Sequence, residues 1–363
     1  MALLDIFSAI TKNAQPAQSS AGKIVGIDIG ASSIKVVELE NRNDVITLTS
    51  YGELELGPYD EEKPIGSAVI LSPQLERQAL VDILRESAIK AKKAVFAMPL
   101  TSSFVTIMSL QATPEEDIAP RVRVEARKYI PIPIAEVTLD WAELDSITSA
   151  PAPTREVLLA AIQNDALSRF NGLMDTVELR NTPIEIECFS AIRSLYFSDE
   201  VDVAIIDIGA HSTKLYIARN GLLQRMYRVR VGGADITDKL AKELSVTFEE
   251  AEVIKRSVTQ TDQTFAGIQK QYNVTYDRAV KEFKQVLDEY EKKLGVQLST
   301  VYLIGGGALF INFDKYVESI LNKKVTLPVP FNKVAYPAFM EDTLCDIGPA
   351  FTIALGAALR HFE

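Results

Sequence analysis

The sequence predicts a mixed α/β fold of two similar lobes, with a small α+β subdomain inserted into the first lobe. The first observation is a repeat, in which "IDIGASSIK" from Ile27 and "IDIGAHSTK" from Ile206 agree at seven of nine positions. The second is the alternation of hairpins and helices after each copy. The third is a separate strand–helix–strand–strand pattern in residues of about 100–165. A chain of 363 residues is also long for a single hydrophobic core.

These observations divide the chain into three parts. Residues 1–22 form a tail with a short amphipathic helix and a linker, 23–190 the first lobe with its insertion, and 191–363 the second lobe. In the tail, "MALLDIFSAITK" has apolar residues at helical spacing, and "NAQPAQSSAGK" reads as a flexible linker. The tail is either a helix that docks on a partner, on its own domain or on a membrane surface, or a frayed end.

Each element of the first lobe has a local signal. "KIVGIDIGASSIKVVELE" predicts a strand, a tight turn and a strand, and "DVITLTSYGELEL" continues as a third strand. Ser72 and Pro73 are typical of an N-cap and a first helical position, so a helix is predicted from that point. "AVFAMP" follows as a buried strand. After the insertion, "NDALSRFNGLMDTV" predicts a helix and "PIEIECFSAIRSLYF" a strand that leads into a helix.

The insertion is predicted as the strand "FVTIMSLQA", a helix, and the strands "EVTLDWAEL" and "REVLLAAI". The helix begins at Thr113 and Pro114 and is broken by Pro131. Pro120 marks an irregular first turn within it. The loop "DSITSAPAPT" separates the last two strands.

The second lobe repeats the hairpin and adds the strand "GLLQRMYRVR". Helices are predicted for "GGADITDKLAKELS", for "FEEAEVIKRSV" and, as a long amphipathic helix, for "DRAVKEFKQVLDEYEKKLG". A strand and glycine turn in "TVYLIGGGALF" follow, then a strand near "KKVTLPVPF". The C-terminal helix is predicted in "GPAFTIALGAALRHF".

Composition excludes several classes of function. The net charge of −11 opposes binding to phosphate backbones, so we expect no nucleic-acid partner. The two cysteines, Cys188 and Cys345, are predicted to be buried reduced thiols, and with only two histidines no Cys/His zinc site is expected. No apolar run reaches the roughly 20 residues of a bilayer span, so we expect no transmembrane segment, no secretory signal and a cytoplasmic location.

The residues of the repeated turn point to phosphate binding. Glycine lets backbone approach a ligand closely, and hydroxyl groups together with turn amides make an anion-binding concavity. A lysine just after the turn can meet a phosphate, and an aspartate at the strand end can hold a hydrated Mg²⁺. We therefore predict that both hairpins grip one polyphosphate, with Asp28 and Asp207 at the metal. The predicted binding residues are Gly30, Ala31, Ser32, Ser33 and Lys35 in the first copy, and Gly209, Ala210, His211, Ser212, Thr213 and Lys214 in the second.

A third glycine turn, Gly305, Gly306 and Gly307 in "LIGGGAL", follows a strand. Such a turn lets backbone lie flat against a base or a ribose. A bare turn is the alternative, and the repeated hairpin upstream favours the ligand-binding interpretation.

With these motifs in this order, the sequence resembles the actin-like ATPase superfamily, which includes actin, sugar kinases, heat-shock ATPases and FtsA. "GIDIGASSIKV" and "IIDIGAHSTKLYI" resemble its two phosphate motifs, and "LIGGGA" its adenosine motif. "EIECFSAIRSLY" and "FTIALGAALR" lie where its two connecting helices belong. The resemblance implies a duplicated ribonuclease H-like fold that binds ATP and Mg²⁺ between its lobes.

"GGADITDKLAKEL" and "EEAEVIKRS" also resemble the superfamily pattern after the second hairpin. The resemblance places Gly232 and Gly233 at the nucleotide and implies that Glu252 and Lys255 contact its sugar and base. The alternative for Glu252 and Lys255 is an ordinary solvent-facing salt bridge at i, i+3 spacing.

The segment "EARKYIPIPIAEVTLDW" and the closing "PVPF" and "GPAFTIALGAALR" are similar to the PilM family of cytoplasmic actin-like proteins in type IV pilus assembly. That resemblance runs from about residue 23 to the C-terminus. It implies a scaffold at the inner face of the cytoplasmic membrane that docks the N-terminal cytoplasmic peptide of a PilN-like inner-membrane partner beside the insertion. The groove candidates, each of which also fits plain subdomain core, are Val105, Ile107, Tyr129, Ile130 and Ile132.

Two alternatives stay open at this point. An FtsA-like division protein shares the insertion, but the C-terminal membrane-targeting helix of FtsA is not expected after Glu363. A metabolic kinase would need a substrate-facing aspartate as base and lacks a segment like "EARKYIPIP". Self-association into a homo-oligomer is also open, because actin-like folds often self-associate.

Hydrolysis of ATP needs a positioned water as well as phosphate binding. Asp207 is the predicted catalytic residue through the metal that it holds. His211, which replaces Ser32 of the first copy, either touches a phosphate or a water or is a partly exposed turn residue. We identify no carboxylate or glutamine that must activate water. The sequence therefore predicts nucleotide binding with at most slow ATPase activity, and a vestigial site is the weaker alternative.

Overall fold

The computed structural model describes residues 22–60, 63–113, 115–144, 154–179, 184–196, 201–298 and 300–362. The predicted N-terminal helix and linker and the predicted loop of 145–153 lie outside these residues. The strands are β1 (Lys23–Ile29), β2 (Ser33–Arg42), β3 (Val45–Glu55), β4 (Lys93–Met98), β5 (Ser103–Gln111), β6 (Val137–Leu144), β7 (Thr154–Gln163), β8 (Ile184–Ile186), β9 (Asp202–Ile208), β10 (Thr213–Arg219), β11 (Leu222–Val229), β12 (Thr300–Ile304) and β13 (Lys324–Thr326).

The helices lie between and after these strands and include those predicted from the sequence within the described residues. They are α1 (Pro73–Glu86), α2 (Ala119–Glu125), α3 (Asn164–Thr176), α4 (Glu187–Leu195), α5 (Gly233–Leu244), α6 (Phe248–Ser257), α7 (Phe265–Leu294), α8 (Phe313–Leu321) and α9 (Glu341–Leu359). The predicted N-cap of α1 is confirmed, because Ser72 Oγ accepts a hydrogen bond from the Leu75 amide.

The duplication in the sequence is a duplication of sheet topology. The first sheet has the order β3-β2-β1-β4-β8 and the second the order β11-β10-β9-β12-β13. In each sheet the hairpin strands pair antiparallel and the next two strands run parallel to the first hairpin strand. The interiors of β1 and β9 are almost entirely buried, which fits central strands covered on both faces.

The insertion forms its own antiparallel sheet, β5-β7-β6, with α2 packed on one face. The predicted helix is wrong in its extent: α2 begins only at Ala119 and ends at Glu125, followed by a short 3-10 turn at Ala126–Lys128. Pro120 explains the late start, because proline is favoured in the first turn of a helix, where its missing N–H has no intrahelical partner to lose.

Two other helices differ in their start from the sequence prediction, and one helix was not predicted. Helix α7 begins at Phe265, well before the predicted start. Helix α8 was not predicted, although Phe313, Val317 and Leu321 recur at i, i+4 and i+8 and are all buried. Helix α9 begins at Glu341 and continues through Pro349, so it is longer at its N-terminal end than predicted.

Helix α9 packs against β1, β2, β4 and α4 in the core of the first lobe. Its close approach depends on missing side chains, because a Cβ on Gly26 would lie 2.0 Å from the Ala354 carbonyl oxygen. The stretch Ala338–Phe362 is long and apolar enough to span a membrane, contrary to the expectation from the sequence, but 67% of its apolar 18-residue portion is buried inside the protein. Core helices pass the same test, so this stretch is weak support for a membrane span.

Candidate functional site

The two repeated hairpins have the same register and the same turn geometry. Asp28 pairs with Lys35 across β1 and β2, and Asp207 pairs with Lys214 across β9 and β10. The Gly30 amide donates to the Ser33 carbonyl at 2.9 Å, and in the second copy the Gly209 amide donates to the Ser212 carbonyl at 3.1 Å. The sequence repeat is therefore a repeat of backbone structure that sets an aspartate and a lysine side by side at each turn.

The tips of both turns carry backbone amides that have no acceptor in the described part of the chain. Within the described residues, the amides of Ala31, Ser32, Ala210 and His211 donate no hydrogen bond. Such consecutive free amides form a concavity suited to an anion. His211 itself is exposed at the tip of the second turn.

Helix α5 begins directly against the second turn. The Gly233 amide donates to the Gly209 carbonyl at 3.0 Å, and a Cβ on Gly232 would lie 2.3 Å from the Ala210 carbonyl oxygen. Glycine at position 232 is thus required for this contact. The positive end of the α5 dipole consequently lies beside the free amides and adds to their attraction for an anion.

The two hairpin lysines have different partners. Lys214 Nζ lies 2.8 Å from Glu187 Oε2 and 3.0 Å from Asp207 Oδ2. Burial alone would lower the pKa of Lys214, but the two carboxylates outweigh it and raise that pKa, so this lysine stays charged. Lys35 Nζ instead lies 2.7 Å from Ser33 Oγ and 2.8 Å from a Glu53 carboxylate oxygen.

Charged groups of both hairpins act on the Asp28 carboxyl. Asp28 as a residue is partly exposed, and burial of its carboxyl raises the pKa of that group to about 7. Lys35 and Lys214 oppose this rise, and Glu187 and Asp207 add to it. The two predicted metal ligands, one from each lobe, therefore lie within electrostatic range of each other.

The site holds a carboxylate that the sequence analysis missed. Glu187, the first residue of α4, is 4% exposed and accepts a hydrogen bond from the Leu100 amide at 2.9 Å, in addition to its contact with Lys214. The only available signal was its position directly after a parallel strand, since the carboxyl ends of such strands meet at one edge of a sheet.

A divalent cation fits the donors at this edge only with help from other ligands. The described residues contain no group of three His, Cys, Asp or Glu side chains placed to hold a metal ion. Mg²⁺ commonly takes one or two carboxylates and completes its shell with waters and phosphate oxygens. Asp28 and Asp207 match that requirement.

The third glycine turn lies against the end of β9. Gly305 has φ of +87°, and a Cβ there would lie 2.8 Å from Asp207 Oδ1 and 2.4 Å from the Ile208 carbonyl oxygen. The Tyr272 hydroxyl donates to the Gly307 carbonyl from the other side. A Cβ on Gly306 would meet nothing within 4 Å, so this turn presents open backbone next to the predicted metal ligand.

Glu252 and Lys255 are not a solvent-facing pair. Glu252 is 4% exposed, and Lys255 Nζ lies 2.6 Å from it, 2.7 Å from Thr237 Oγ1 and 3.1 Å from the Gly233 carbonyl oxygen. Burial would raise the pKa of Glu252, but the charge of Lys255 and the hydrogen bonds it receives hold that pKa below its usual range. Burial lowers the pKa of Lys255 despite Glu252. Because Lys255 contacts Gly233 and Thr237 of α5, the pair lies at the start of that helix, beside the second turn.

The lobes touch each other at this edge of the cleft. Arg256 bridges Glu252 of the second lobe and Glu55 of the first, at 2.6 Å to each. A Cβ on Gly66, which follows β3, would lie 2.5 Å from the Glu252 carboxyl carbon. The structure thus places Asp28 near Asp207 and Lys214, and Glu252 against the first lobe, and this region where the lobes meet is called the crevice below. Which of the predicted residues touch a ligand stays a prediction.

Comparisons with known proteins identify the family and the fold. A family model described as Type IV pilus assembly protein PilM matches residues 26–362. Among curated proteins, the chain is similar to the cell division protein FtsA of Streptococcus pneumoniae, with 23% identity over 381 residues that cover 88% of this chain and 78% of that protein. The predicted resemblance to the PilM family, with FtsA as a relative, is confirmed.

Among solved structures, the fold is similar to the PilM-PilN type IV pilus biogenesis complex, with a TM-score of 0.78 and 23% identity over 94% of this chain and 98% of that chain. MreB5 of Spiroplasma citri bound to ADP has a TM-score of 0.55 and 13% identity over 94% and 96% of the two chains. The ethanolamine utilization protein EutJ of Carboxydothermus hydrogenoformans has a TM-score of 0.54 and 16% identity over 96% and 92%. The predicted actin-like fold is confirmed.

Proposed function

Because the chain belongs to the family of type IV pilus assembly protein PilM, we propose that it binds Mg-ATP between its lobes and serves as a cytoplasmic scaffold for a PilN-like inner-membrane partner. The observation that carries the nucleotide part is the pair of hairpins with the same Asp–Lys register, Asp28 with Lys35 and Asp207 with Lys214. MreB5, which has a similar fold, was solved with ADP bound, which supports a nucleotide in this crevice.

Different residues would contact the phosphates, the metal ion and the adenosine of the nucleotide. The free amides of both turns, with Lys35 and Lys214, would meet the phosphates. Asp28 and Asp207 would hold the hydrated Mg²⁺, which supplies charge neutralisation between the phosphate oxygens. The glycine turn at Gly305 and the buried pair at Glu252 would face the adenosine.

Turnover should be slow, because Glu187, the carboxylate beside Lys214 that is not assigned to the metal, is already engaged. One oxygen of Glu187 accepts the Leu100 amide and the other contacts Lys214. Both oxygens of this carboxylate therefore already have a partner, and neither is free to accept a proton from water. This arrangement favours nucleotide binding as a conformational switch over rapid hydrolysis, and it favours the scaffold over a metabolic kinase.

Docking of the partner is proposed in a groove between the insertion and the second lobe. The groove has a volume of about 280 Å³, and its walls include Val105 and Ile107 of β5, Leu223 and Met226 of β11, and Tyr290 of α7. Both β5 and β11 are edge strands, so they offer unpaired backbone groups to an extended peptide.

Three of the five predicted groove residues lie elsewhere. Ile130 is buried in the insertion's own core and Ile132 packs against that core. Tyr129 is 42% exposed and is not among the residues that line the groove. The inner-membrane partner would keep the chain at the inner face of the cytoplasmic membrane, in line with the PilM-PilN complex of similar fold.

The nucleotide proposal is tested by calorimetry with Mg-ATP. Asp207→Ala should weaken binding at least about tenfold, because it removes a metal ligand and leaves Lys214 without one of its two carboxylates. Asp238→Ala, an exposed change on α5, serves as the control and should bind like the parent. Equal affinity of all three proteins would refute the proposed site.

The docking proposal is tested with a fluorescent peptide that carries the N-terminal cytoplasmic residues of a PilN-like partner. Ile107→Asp places a charge in the groove and should weaken anisotropy-detected binding at least about tenfold. Val124→Asp, at a 60% exposed position on α2 of the same insertion, should leave binding unchanged. If Val124→Asp abolishes binding and Ile107→Asp does not, the peptide docks elsewhere on the insertion.

A further inference from the structure

Glu187 contacts both the proposed nucleotide site, through Lys214, and the start of the inserted subdomain, through Leu100. Its Oε2 lies 2.8 Å from Lys214 Nζ in the crevice, and its Oε1 accepts the Leu100 amide at 2.9 Å. The side chains of Glu187 and Lys214 are only 6% and 13% exposed, so water screens this contact weakly.

Leu100 is the point at which the chain leaves the first lobe and enters the insertion. Strand β4 ends at Met98, and a 3-10 turn at Leu100–Ser102 runs directly into β5 at Ser103. The Ser103 hydroxyl donates to the Pro99 carbonyl at 3.1 Å, which ties this turn together. No flexible linker separates the Leu100 amide from the first strand of the inserted sheet, so a shift at Leu100 moves β5.

We propose that Glu187 is a positioning residue that couples the ligand state of Lys214 to the orientation of the inserted subdomain. The inference rests on the proposed function, because a nucleotide phosphate is the group that would draw Lys214 away from Glu187. Without the lysine, the carboxylate is repelled by the neighbouring Asp207 and gains rotamer freedom. The Leu100 amide then loses its fixed acceptor.

The proposed docking groove lies on the path of this coupling. Its first wall is β5, which begins three residues after Leu100, and its second wall is β11. Strand β11 pairs with β10 in a register that sets Arg228 opposite Lys214. Both walls are thus attached to the Glu187–Lys214 contact, so nucleotide binding changes the spacing between them and with it the affinity for an extended peptide.

The duplicated hairpin supplies a matched control. Lys35 occupies the equivalent position in the first lobe but contacts Ser33 and Glu53. Lys35→Met and Lys214→Met both remove a phosphate-binding lysine, whereas only Lys214→Met removes the partner of Glu187. The two variants separate loss of phosphate affinity from loss of coupling.

The test is hydrogen–deuterium exchange of the full chain, followed in peptides that cover residues 97–111, with Mg-ATP affinity measured on the same samples. Without nucleotide, Lys214→Met should speed exchange of 97–111 about threefold or more, and Lys35→Met should leave it at the parent rate. In the parent, Mg-ATP should change exchange in the same peptides. In Glu187→Gln, which keeps an acceptor for the Leu100 amide but loses the ion pair, Mg-ATP should no longer do so.

Each outcome separates the coupling from the nucleotide proposal. Unchanged exchange in Lys214→Met, or an equal rise in both lysine variants, overturns the coupling. Faster exchange in Lys214→Met alone, in a parent that does not bind Mg-ATP, supports the positioning role and refutes the proposed function. If thermal unfolding shows that Lys214→Met is not folded, Glu187→Gln decides: an Mg-ATP response at 97–111 like that of the parent overturns the coupling.

Discussion

At the scale of single residues, the crevice places several carboxylates close together, an arrangement that lowers the stability of the ligand-free fold. Asp28, Asp207 and Glu187 lie near the two hairpin lysines, Lys35 and Lys214, and burial raises the pKa of Asp28 to about 7. A carboxylate that is costly to ionise in the folded state is a signature of a site built for a positive ligand. A bound Mg²⁺ would compensate the negative charge of these carboxylates.

This cost predicts that Asp28→Asn stabilises the ligand-free protein at neutral and higher pH. Because the folded pKa of Asp28 lies above its unfolded value of 3.8, the folded state binds the proton more tightly, and the free energy of unfolding of the parent falls as pH rises from about 4 to 7. The variant lacks that loss, so its advantage should be about 2 kcal/mol larger at pH 8 than at pH 5.

Chemical denaturation at pH 5 and pH 8 measures this difference. Asp82→Asn is the control, because hydrogen bonds from Gln78 and Tyr59 hold the pKa of Asp82 below its usual range. That substitution should not stabilise the protein at pH 8. An Asp28→Asn variant that is no more stable than the parent at pH 8 would show that Asp28 is not buried as described.

Sequence reasoning found the residues of the turns but not the residue that links them to the rest of the molecule. Asp28, Lys35, Asp207 and Lys214 are marked by the repeat itself. Glu187 carries no spacing pattern, because its partners Lys214 and Leu100 are 27 and 87 positions away in the chain. Only the fold brings these three residues together.

At the scale of elements, the two hairpins and the strands beside them were predictable because alternation and turn chemistry are local. The errors concern helices whose limits depend on tertiary packing. In the added turns of α9 only Leu344 is buried, in the core of the first lobe, and α8 was overlooked although Phe313 and Leu321 bury its apolar face. From the sequence, Pro120 indicated an irregular first turn, but the start of the helix at Ala119 could not be located.

Replacing a helical glycine by alanine should change the free energy of unfolding in opposite directions at two positions, one where α9 packs on α4 and one on α7. A Cβ on Gly356 would lie 1.9 Å from the Ser190 carbonyl oxygen, so Gly356→Ala should destabilise the protein by about 2–3 kcal/mol despite the better helix propensity of alanine. A Cβ on Gly267 of α7 would meet nothing within 4 Å, so Gly267→Ala should stabilise by about 0.5–1 kcal/mol.

Urea denaturation of the two variants and the parent measures both effects. Destabilisation by Gly356→Ala of less than about 0.5 kcal/mol would mean that α9 is not held directly against α4. Loss of stability in Gly267→Ala would contradict the open surroundings of that residue.

At the scale of the whole molecule, two copies of one sheet meet at a crevice, and contacts at its edge hold the lobes together. Arg256 joins Glu252 of the second lobe to Glu55 of the first, and the insertion touches the second lobe through β5 and β11. A ligand that bridges the hairpins acts on the same lobe arrangement that shapes the groove. This common geometry is the physical basis for a nucleotide-dependent scaffold.

The most direct test of the central claim is a crystal structure of the full chain with Mg²⁺ and a non-hydrolysable ATP analogue. We predict one triphosphate in contact with the turn at Gly30–Ser33 and with the turn at Gly209–Thr213, and a metal ion between Asp28 and Asp207. A triphosphate bound by one hairpin alone, or bound outside the crevice, would contradict the account.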